Sequence, residues 1–338
     1  MAESAAPSLQ LVAVVVSHNR LEKLRTTLAR LLAHDRAELA GVVVVDNAST
    51  DGTRVWLAEQ TDPRLDVLRS SHNEGGAGGF ARGMRRAIER HAPDWLVVMD
   101  DDARPAPGAL AAFHALAAGQ GPGWDAVAAA VYFPDGRICE MNRPSRNPFW
   151  HWRAFLRTAL GGGRRGFHLG AADYEGPGIQ VDVTSFVGFF ISAEAVRRIG
   201  YPEPGLFIYG DDGLYTLGLS RSGGRIGFEP GIRFEHDIST FQAAGVGQSA
   251  QRGRFIPLWK AYYYHRNLLL LYRLAAGWFF WPVMAVILPR WLLKVRAHAG
   301  QRRIFLRLLT RAVQDGLARR LDLPHAEVER LAQEGAGR

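Results

Sequence analysis

The chain opens on a continuous apolar run, LVAVVV at residues 11–16, which breaks at Ser17-His18-Asn19 before leucines recur at 21, 24, 28 and 31–32. A run apolar at every position predicts a strand buried on both faces, and the recurrence every three to four residues predicts a helix after it. The unit repeats at GVVVVDNAST, where a strand over 42–45 stops on Asp46 and a helix starts near Thr53. A short strand near Leu65–Leu68 follows, then NEGGAGGFARG (73–83) opening a helix through Ile88, then WLVVM running into Asp100-Asp101-Asp102. Apolar strands alternating with helices predict an α/β fold with a mostly parallel sheet covered on both faces. Ligands collect at the carboxyl ends of such strands, which here carry Asp46, Asn73 and Asp100–Asp102.

From Pro134 to Gly178 the periodicity dissolves into Gly, Pro, Arg and aromatic residues, a stretch too long for an idle connection. A short helix is expected within 150–160. Order returns at VDVTSFVGFFIS (181–192), read as a strand entering a helix near Ala193, followed by LFIYGDDG and the strand-like GRIGFEPGIRFEHD. No repeat of 20–50 residues is present. The expected division is a frayed leader (1–10), an α/β domain (11–251) containing an irregular insertion (134–178), and a helical, basic region (252–338).

Charge changes this picture at the C-terminal end. Of the formal +8 carried by 338 residues, the part from Arg252 onward holds +11, leaving −3 for the remainder. A basic tail suits nucleic acid, an anionic membrane surface or a phosphorylated ligand; with no RNA-binding motif in the chain, nucleic acid is not expected. Between Arg273 and Arg290 lie sixteen uncharged residues, LAAGWFFWPVMAVILP. A spanning helix needs about 20. An in-plane or shallow re-entrant anchor is therefore expected, with Trp278 and Trp281 at headgroup depth and Arg290, Lys294, Arg296, Arg302 and Arg303 meeting anionic lipid. A buried helix or a dimer interface is the alternative. The single cysteine, Cys139, excludes an internal disulfide and favours a reducing compartment. MAESAAPSLQ lacks the basic start and apolar run of a signal peptide.

Several residues have the chemistry of a site. Asp100 and Asp102 flank a turn from which two carboxylates can converge on a hard cation. Asp46 can accept from a nucleotide's base or ribose, and the glycines of 73–83 let backbone amides approach phosphate oxygens. Asp211-Asp212 offers a general base, and His236 an imidazole ligand. Each alone has a plainer reading as a solvated turn, a helix cap or a core histidine.

In combination, DNASTDGT, Asp100-Asp101-Asp102, Asp211-Asp212 and His236 resemble the family 2 glycosyltransferases of GT-A fold, over about residues 10–240. Within that family NEGGAGGFARG followed by the acidic turn is similar to bacterial galactofuranosyltransferases, with rhamnosyltransferases using dTDP-rhamnose next. The resemblance implies an inverting transferase that uses a sugar nucleotide, UDP-galactofuranose foremost. It implies Mn²⁺ or Mg²⁺ on Asp100, Asp102 and His236, with Asp212 as base and Asp211 binding hydroxyls. Ser17, Asn19, Asp46, Asn73, Gly75, Gly76, Gly78, Gly79, Arg82 and Asp101 are the implied donor contacts, and Trp150, Gly188 and Phe189 the implied acceptor contacts. The acceptor would be a lipid-linked or cell-envelope glycan, met at the cytoplasmic face of the inner membrane. Assembly into oligomers is left open. One departure is Gly213-Leu214-Tyr215-Thr216-Leu217-Gly218, where relatives commonly continue with another acid and a Leu-Arg pair.

Overall fold

The computed structural model describes residues 9–119, 123–238 and 254–333. Most of the expected leader, and the expected boundary at 251/252, lie outside the described residues. The first half builds three strand–helix units and a fourth strand: β1 (Leu11–Ser17), α1 (Leu21–Leu32), β2 (Gly41–Asp46), α2 (Thr53–Ala58), β3 (Leu65–Arg69), α3 (Gly75–His91) and β4 (Trp95–Asp100). The β1 pairings with β2 and β4 are parallel, with Ser17 opposite Asp46 and Val16 opposite Asp100. That register brings the polar ends of three apolar runs to one edge. Alternation along β1 divides the core: Val12, Val14 and Val16 face Phe80 and Met84 of α3, while Leu11, Ala13 and Val15 face Leu24 and Leu28 of α1.

The second half contains β5 (Ala103–Pro105), α4 (Ala109–Ala118), β6 (Ala126–Tyr132), α5 (Trp152–Arg157), β7 (Ile179–Val181), β8 (Phe189–Ser192), α6 (Ala193–Ile199), α7 (Asp211–Arg221) and β9 (Ile226–His236). The sheet order is β3-β2-β1-β4-β8-β6-β9-β5, with β7 beside β9. Strand β8 runs antiparallel to both neighbours, and β9 is parallel to β6, so β9 ends at the same edge as β1, β2 and β4. The alanine-rich β6 has no counterpart in the sequence reading, since alanine is a poor strand former and its strand is set by burial.

The strand expected over 181–192 divides into β7 and β8. Gly188 turns the chain at φ +65°, where a Cβ would lie 2.7 Å from the Phe234 ring. Phe189 is fully buried, opposite Val98 of β4 and Ala128 of β6. Both residues, expected as acceptor contacts, are packed where β8 begins, Gly188 against Phe234 and Phe189 between β4 and β6.

Four helices close the chain: α8 (Lys260–Ala276), α9 (Phe280–Leu293), α10 (Arg302–Ala318) and α11 (His325–Gln333). They share a third core around Tyr262, Phe305 and Leu308. By length and composition the run Lys260–Ala297 is long and apolar enough to cross a membrane, yet its backbone breaks at Gly277 (φ +52°). Its α8 part is packed onto α10 and α7, whereas Trp278 is 99% and Trp281 65% exposed.

Candidate active site

The acidic turn after β4 owes its shape to β5, which pairs antiparallel with the end of β9 and sets Ala103 opposite His236. That pairing carries a histidine 134 residues along the chain to Asp102, with His236 Nε2 3.1 Å from Asp102 Oδ1. The ligand atoms of Asp100, Asp102 and His236 lie within 4.8 Å of one another. Two carboxylates and an imidazole on one side of a small space suit a divalent cation such as Mn²⁺.

The electrostatics agree with that fit. Burial, and then the charge of Asp102, raise Asp100 well above the usual carboxylate range. At Asp102 the burial penalty is outweighed by the hydrogen bond and charge of His236 and by Arg20, so its pKa is lowered. Arg20 donates to Asp102 Oδ2 at 2.6 Å and to Asp101 Oδ1 at 3.3 Å. A cation would relieve the remaining repulsion between Asp100 and Asp102.

His236 is oriented by residues that sequence reasoning missed. Its Nδ1 lies 2.8 Å from Asn142 Oδ1, while Asn142 Nδ2 donates to Ser185 Oγ at 2.8 Å, which fixes the amide's direction. Nδ1–H donates to Asn142 Oδ1, which turns Nε2 toward the acids, where it would be the ligand atom for a cation. The Cys139 thiol also donates to Asn142 Oδ1, at 2.9 Å, and burial pushes it up to about 11, so it stays a protonated, unreactive group.

Two expected donor contacts face inward. Ser17 and Asp101 are 1% and 3% exposed, and the Ser17 hydroxyl donates to Asp101 Oδ2 at 2.8 Å. That bond ties the end of β1 to the acidic turn. Asp46 is also buried, accepting from the Ser49 amide at 3.0 Å. Asn19 stays exposed at the surface, its Oδ1 accepting from the Thr50 amide at 2.6 Å.

The glycine segment is the first turns of α3. Gly75 has φ +70°, and a Cβ there would lie 2.1 Å from the Phe207 carbonyl oxygen. Gly79 lets α3 approach β1, since its Cβ would meet Val16 at 2.5 Å, and Gly78 abuts Glu74. Gly79 thus serves the close packing of α3 on β1, while Gly78, with Asn73 and Arg82, lines an open cavity between α3 and α11. Gly76 is the half-buried member, and a Cβ on it would sit 3.9 Å from Asp211 Oδ2. Arg82 is held by Ser70 Oγ at 2.7 Å and Glu74 at 3.0 Å, so its charge is committed locally. Asn47, given no role from sequence, ties the β2 end to this segment through Asn73 Oδ1, the Gly75 carbonyl and the Glu74 amide.

Asp211 and Asp212 open α7. Burial raises both, Asp211 to about 7 with the Asp212 charge adding to the effect, and Asp212 to about 6. The Asp212 carboxylate accepts from the Gly213 amide at 2.6 Å. The loop before them is strained: Phe207 (φ +63°, ψ −64°) forms a tight three-residue turn closed by the Ile208 amide on the Leu206 carbonyl, and Tyr209 has φ +68°. Such conformations cost about 1–3 kcal/mol each and persist only under constraint. The constraint comes from α8. Asn267 Nδ2 lies 2.8–2.9 Å from the carbonyls of Leu206, Ile208 and Tyr209, and the fully buried Arg266 donates to those of Gly205 and Leu206. At the start of the same helix, burial and then the Arg20 charge lower the pKa of Lys260, which places a cation from the tail near the acidic turn. The sequence signal of this helix is the polar pair Arg266-Asn267 inside an apolar run.

Replacing Asn267 by Ala is expected to lower kcat about 100-fold, the cost of a displacement of about 1 Å at a reacting group. UDP affinity should stay within about twofold. Steady-state kinetics beside calorimetric titration would show this split; equal loss in both would mean that α8 supports the whole cleft and not the acidic pair.

A sheet whose carboxyl edge gathers an Asp-x-Asp turn, a distal histidine and a separate acidic pair at a helix start defines a GT-A glycosyltransferase. The chain belongs to glycosyl transferase family 2, whose model matches residues 12–193. It is 32% identical over 218 residues to galactofuranosyltransferase GlfT1 of Mycolicibacterium smegmatis, covering 62% of this chain and 65% of that protein. It is 29% identical over 208 residues to an undecaprenyl-phosphate mannosyltransferase of Micrococcus luteus, covering 56% of this chain and 81% of that one. The structure of GalNAc-T7 with UDP, GalNAc and Mn²⁺ superposes with a TM-score of 0.52 at 17% identity, over 69% of this chain and 44% of its own.

Proposed function

We propose that this glycosyltransferase moves a galactofuranosyl group from UDP-galactofuranose, with inversion, onto a lipid-linked or cell-envelope glycan at the cytoplasmic face of the inner membrane. The observation that carries the reaction type is the division of acids into two sets: Asp100, Asp102 and His236 gathered for a cation, and Asp211-Asp212 apart on α7 beside Gly76. The matches to galactofuranosyltransferases at 32–33% identity support the donor.

In this reading Asp212 takes the proton of an acceptor hydroxyl, whose oxygen bonds the anomeric carbon as the bond to the diphosphate oxygen breaks. One displacement at one face gives inversion. Asp100, Asp102 and His236 would hold Mn²⁺ or Mg²⁺, which supplies positive charge to the departing nucleoside diphosphate. Asp211 orients hydroxyls beside the base. The exposed Asn19 and the half-buried Asn73 and Gly76 remain the donor contacts on the open side of the edge, with Asp46 behind them, and Trp150, 40% exposed, remains on the acceptor side. Residues 11–251 form the catalytic unit and 252–338 its membrane-associating extension, contributing Asn267 and Lys260 to the cleft.

A donor panel with Mn²⁺ and membrane-extracted acceptors, read by mass spectrometry, tests the proposal. UDP-galactofuranose should be turned over at least about 100-fold faster than dTDP-rhamnose or UDP-glucose, a discrimination of the size expected where a site's hydrogen bonds fit one substrate's hydroxyls. Preferred use of dTDP-rhamnose would replace the donor and leave the mechanism standing.

A further inference from the structure

Two segments far apart in sequence carry no acid at all: 141–172, bounded by Glu140 and Asp173, and 238–314, bounded by Asp237 and Asp315. The fold brings them together. Phe279, just before α9, stacks on Phe149 at 6.5 Å and lies 6.3 Å from Phe155 of α5, and Asn147 Nδ2 donates to the Ala275 carbonyl at 3.0 Å. Around this seam large apolar side chains point outward: Trp152 is 68% and Leu160 84% exposed on one segment, Trp278 99% and Trp281 65% on the other. A water-soluble surface rarely gathers such groups from two segments without a partner.

The surrounding charges have one sign. Arg153, Arg157, Arg164 and Arg165 are exposed on the first segment, and Arg290 and Arg296 on the second. The two sets adjoin, since Lys294 is pushed down to about 8 by burial and then by the Arg164 charge. Tryptophans at the level of a basic collar match the headgroup zone of an anionic bilayer, where the rings enter the acyl boundary and the cations meet lipid phosphates.

We propose that residues 150–165 and 278–296 form one composite docking surface for an anionic lipid bilayer, so that the irregular insertion as well as the tail enters the membrane interface. This rests on the membrane reading of the tail given above and extends it to the insertion. The surface is fixed relative to the catalytic base, because Asp182 accepts from the Asn147 amide at 2.7 Å while its carbonyl accepts from Ser220 Oγ of α7 at 2.8 Å. Docking therefore sets the cleft's height above the lipid.

The test is co-sedimentation of the full chain with phosphatidylglycerol-containing and pure phosphatidylcholine vesicles, with sedimentation velocity of the free protein. Wild type should bind the anionic vesicles only. The W152S/L160S pair should weaken binding at least about tenfold, from the loss of two inserted apolar side chains, with UDP affinity and Tm unchanged. Wild-type binding in W152S/L160S alongside loss in W278S/W281S would overturn the composite surface and leave the tail reading intact. No binding by wild type would overturn both. A wild-type dimer that W152S/L160S dissociates would assign the patch to a second copy of the chain and overturn the lipid proposal.

Discussion

Asp212→Asn should reduce transfer about 10²–10⁴-fold, the range a positioned general base contributes, while UDP and Mn²⁺ bind as in the parent protein. The amide keeps the shape of the carboxylate and its hydrogen bond from the Gly213 amide, so the loss reads proton removal. The pH profile gives a second, independent reading. Burial raises Asp212 to about 6 and Asp211 to about 7, and the base works only when deprotonated, so kcat should be level at alkaline pH and fall as pH drops through about 7 to 6. The two carboxyls interact, and the limb belongs to the pair. Asp211→Asn removes a neighbouring negative charge and should move the limb to lower pH. Unchanged turnover in Asp212→Asn, or an acid limb that persists in it, would remove Asp212 from the proton transfer.

The sequence was informative where each residue's fate depends on its own neighbours. β1, β2 and β4 are apolar at every position and end on polar residues, so strand, edge and polar terminus could all be read from one dimension. The pairing of His236 with the acidic turn depends on β5, three residues that become a strand only because β9 ends beside them. The expectation for His236 came from family resemblance, and the structure supplies its physical cause. The glycine segment shows the opposite case. Its composition is that of a phosphate loop, yet Gly79 owes its identity to Val16, a contact set by tertiary packing that no local pattern announces. The bond between Ser17 and Asp101 is invisible for a related reason: a polar residue at a strand's carboxyl end can point up into a cleft or sideways into a partner, and only the three-dimensional register decides. Asn142 and Asn267 lie in an irregular loop and in an apolar helix, where no motif marks them. What they share is burial with side-chain hydrogen bonds satisfied, the condition under which a buried polar group is tolerated.

Removal of the divalent cation should abolish transfer, and Asp102→Asn should do so with metal present. The argument starts from the state without metal. Asp100, Asp101 and Asp102 are successive carboxyls at one strand end, and Arg20 is the cation seen to bond two of them, Asp101 and Asp102. Asp100 receives the burial penalty and the repulsion of its neighbours together. This arrangement is costly by itself and is stabilised by a divalent ion, so ligand loss and protein stability should move in opposite directions. Asp100→Asn is expected to raise Tm in metal-free buffer, because the amide carries neither the burial penalty of an ionised carboxylate nor the cost of protonating one, and to erase the Tm increase that Mn²⁺ gives the parent protein. At a metal concentration of 100 times Kd that increase corresponds to about 2.7 kcal/mol. Asn142→Leu leaves all three ligands in place but frees the imidazole to flip or change tautomer, and should weaken Mn²⁺ about 10–100-fold, the usual cost of losing a group that orients a ligand. The mixed donor set of two carboxylates and an imidazole should favour Mn²⁺ over Mg²⁺, which takes oxygen ligands and keeps its waters. Differential scanning calorimetry with and without each ion measures all three variants independently of turnover. An Asp100→Asn protein destabilised without metal, or a parent protein indifferent to Mn²⁺, would show that the acids balance one another through Arg20 alone and that the triad is not a cation site.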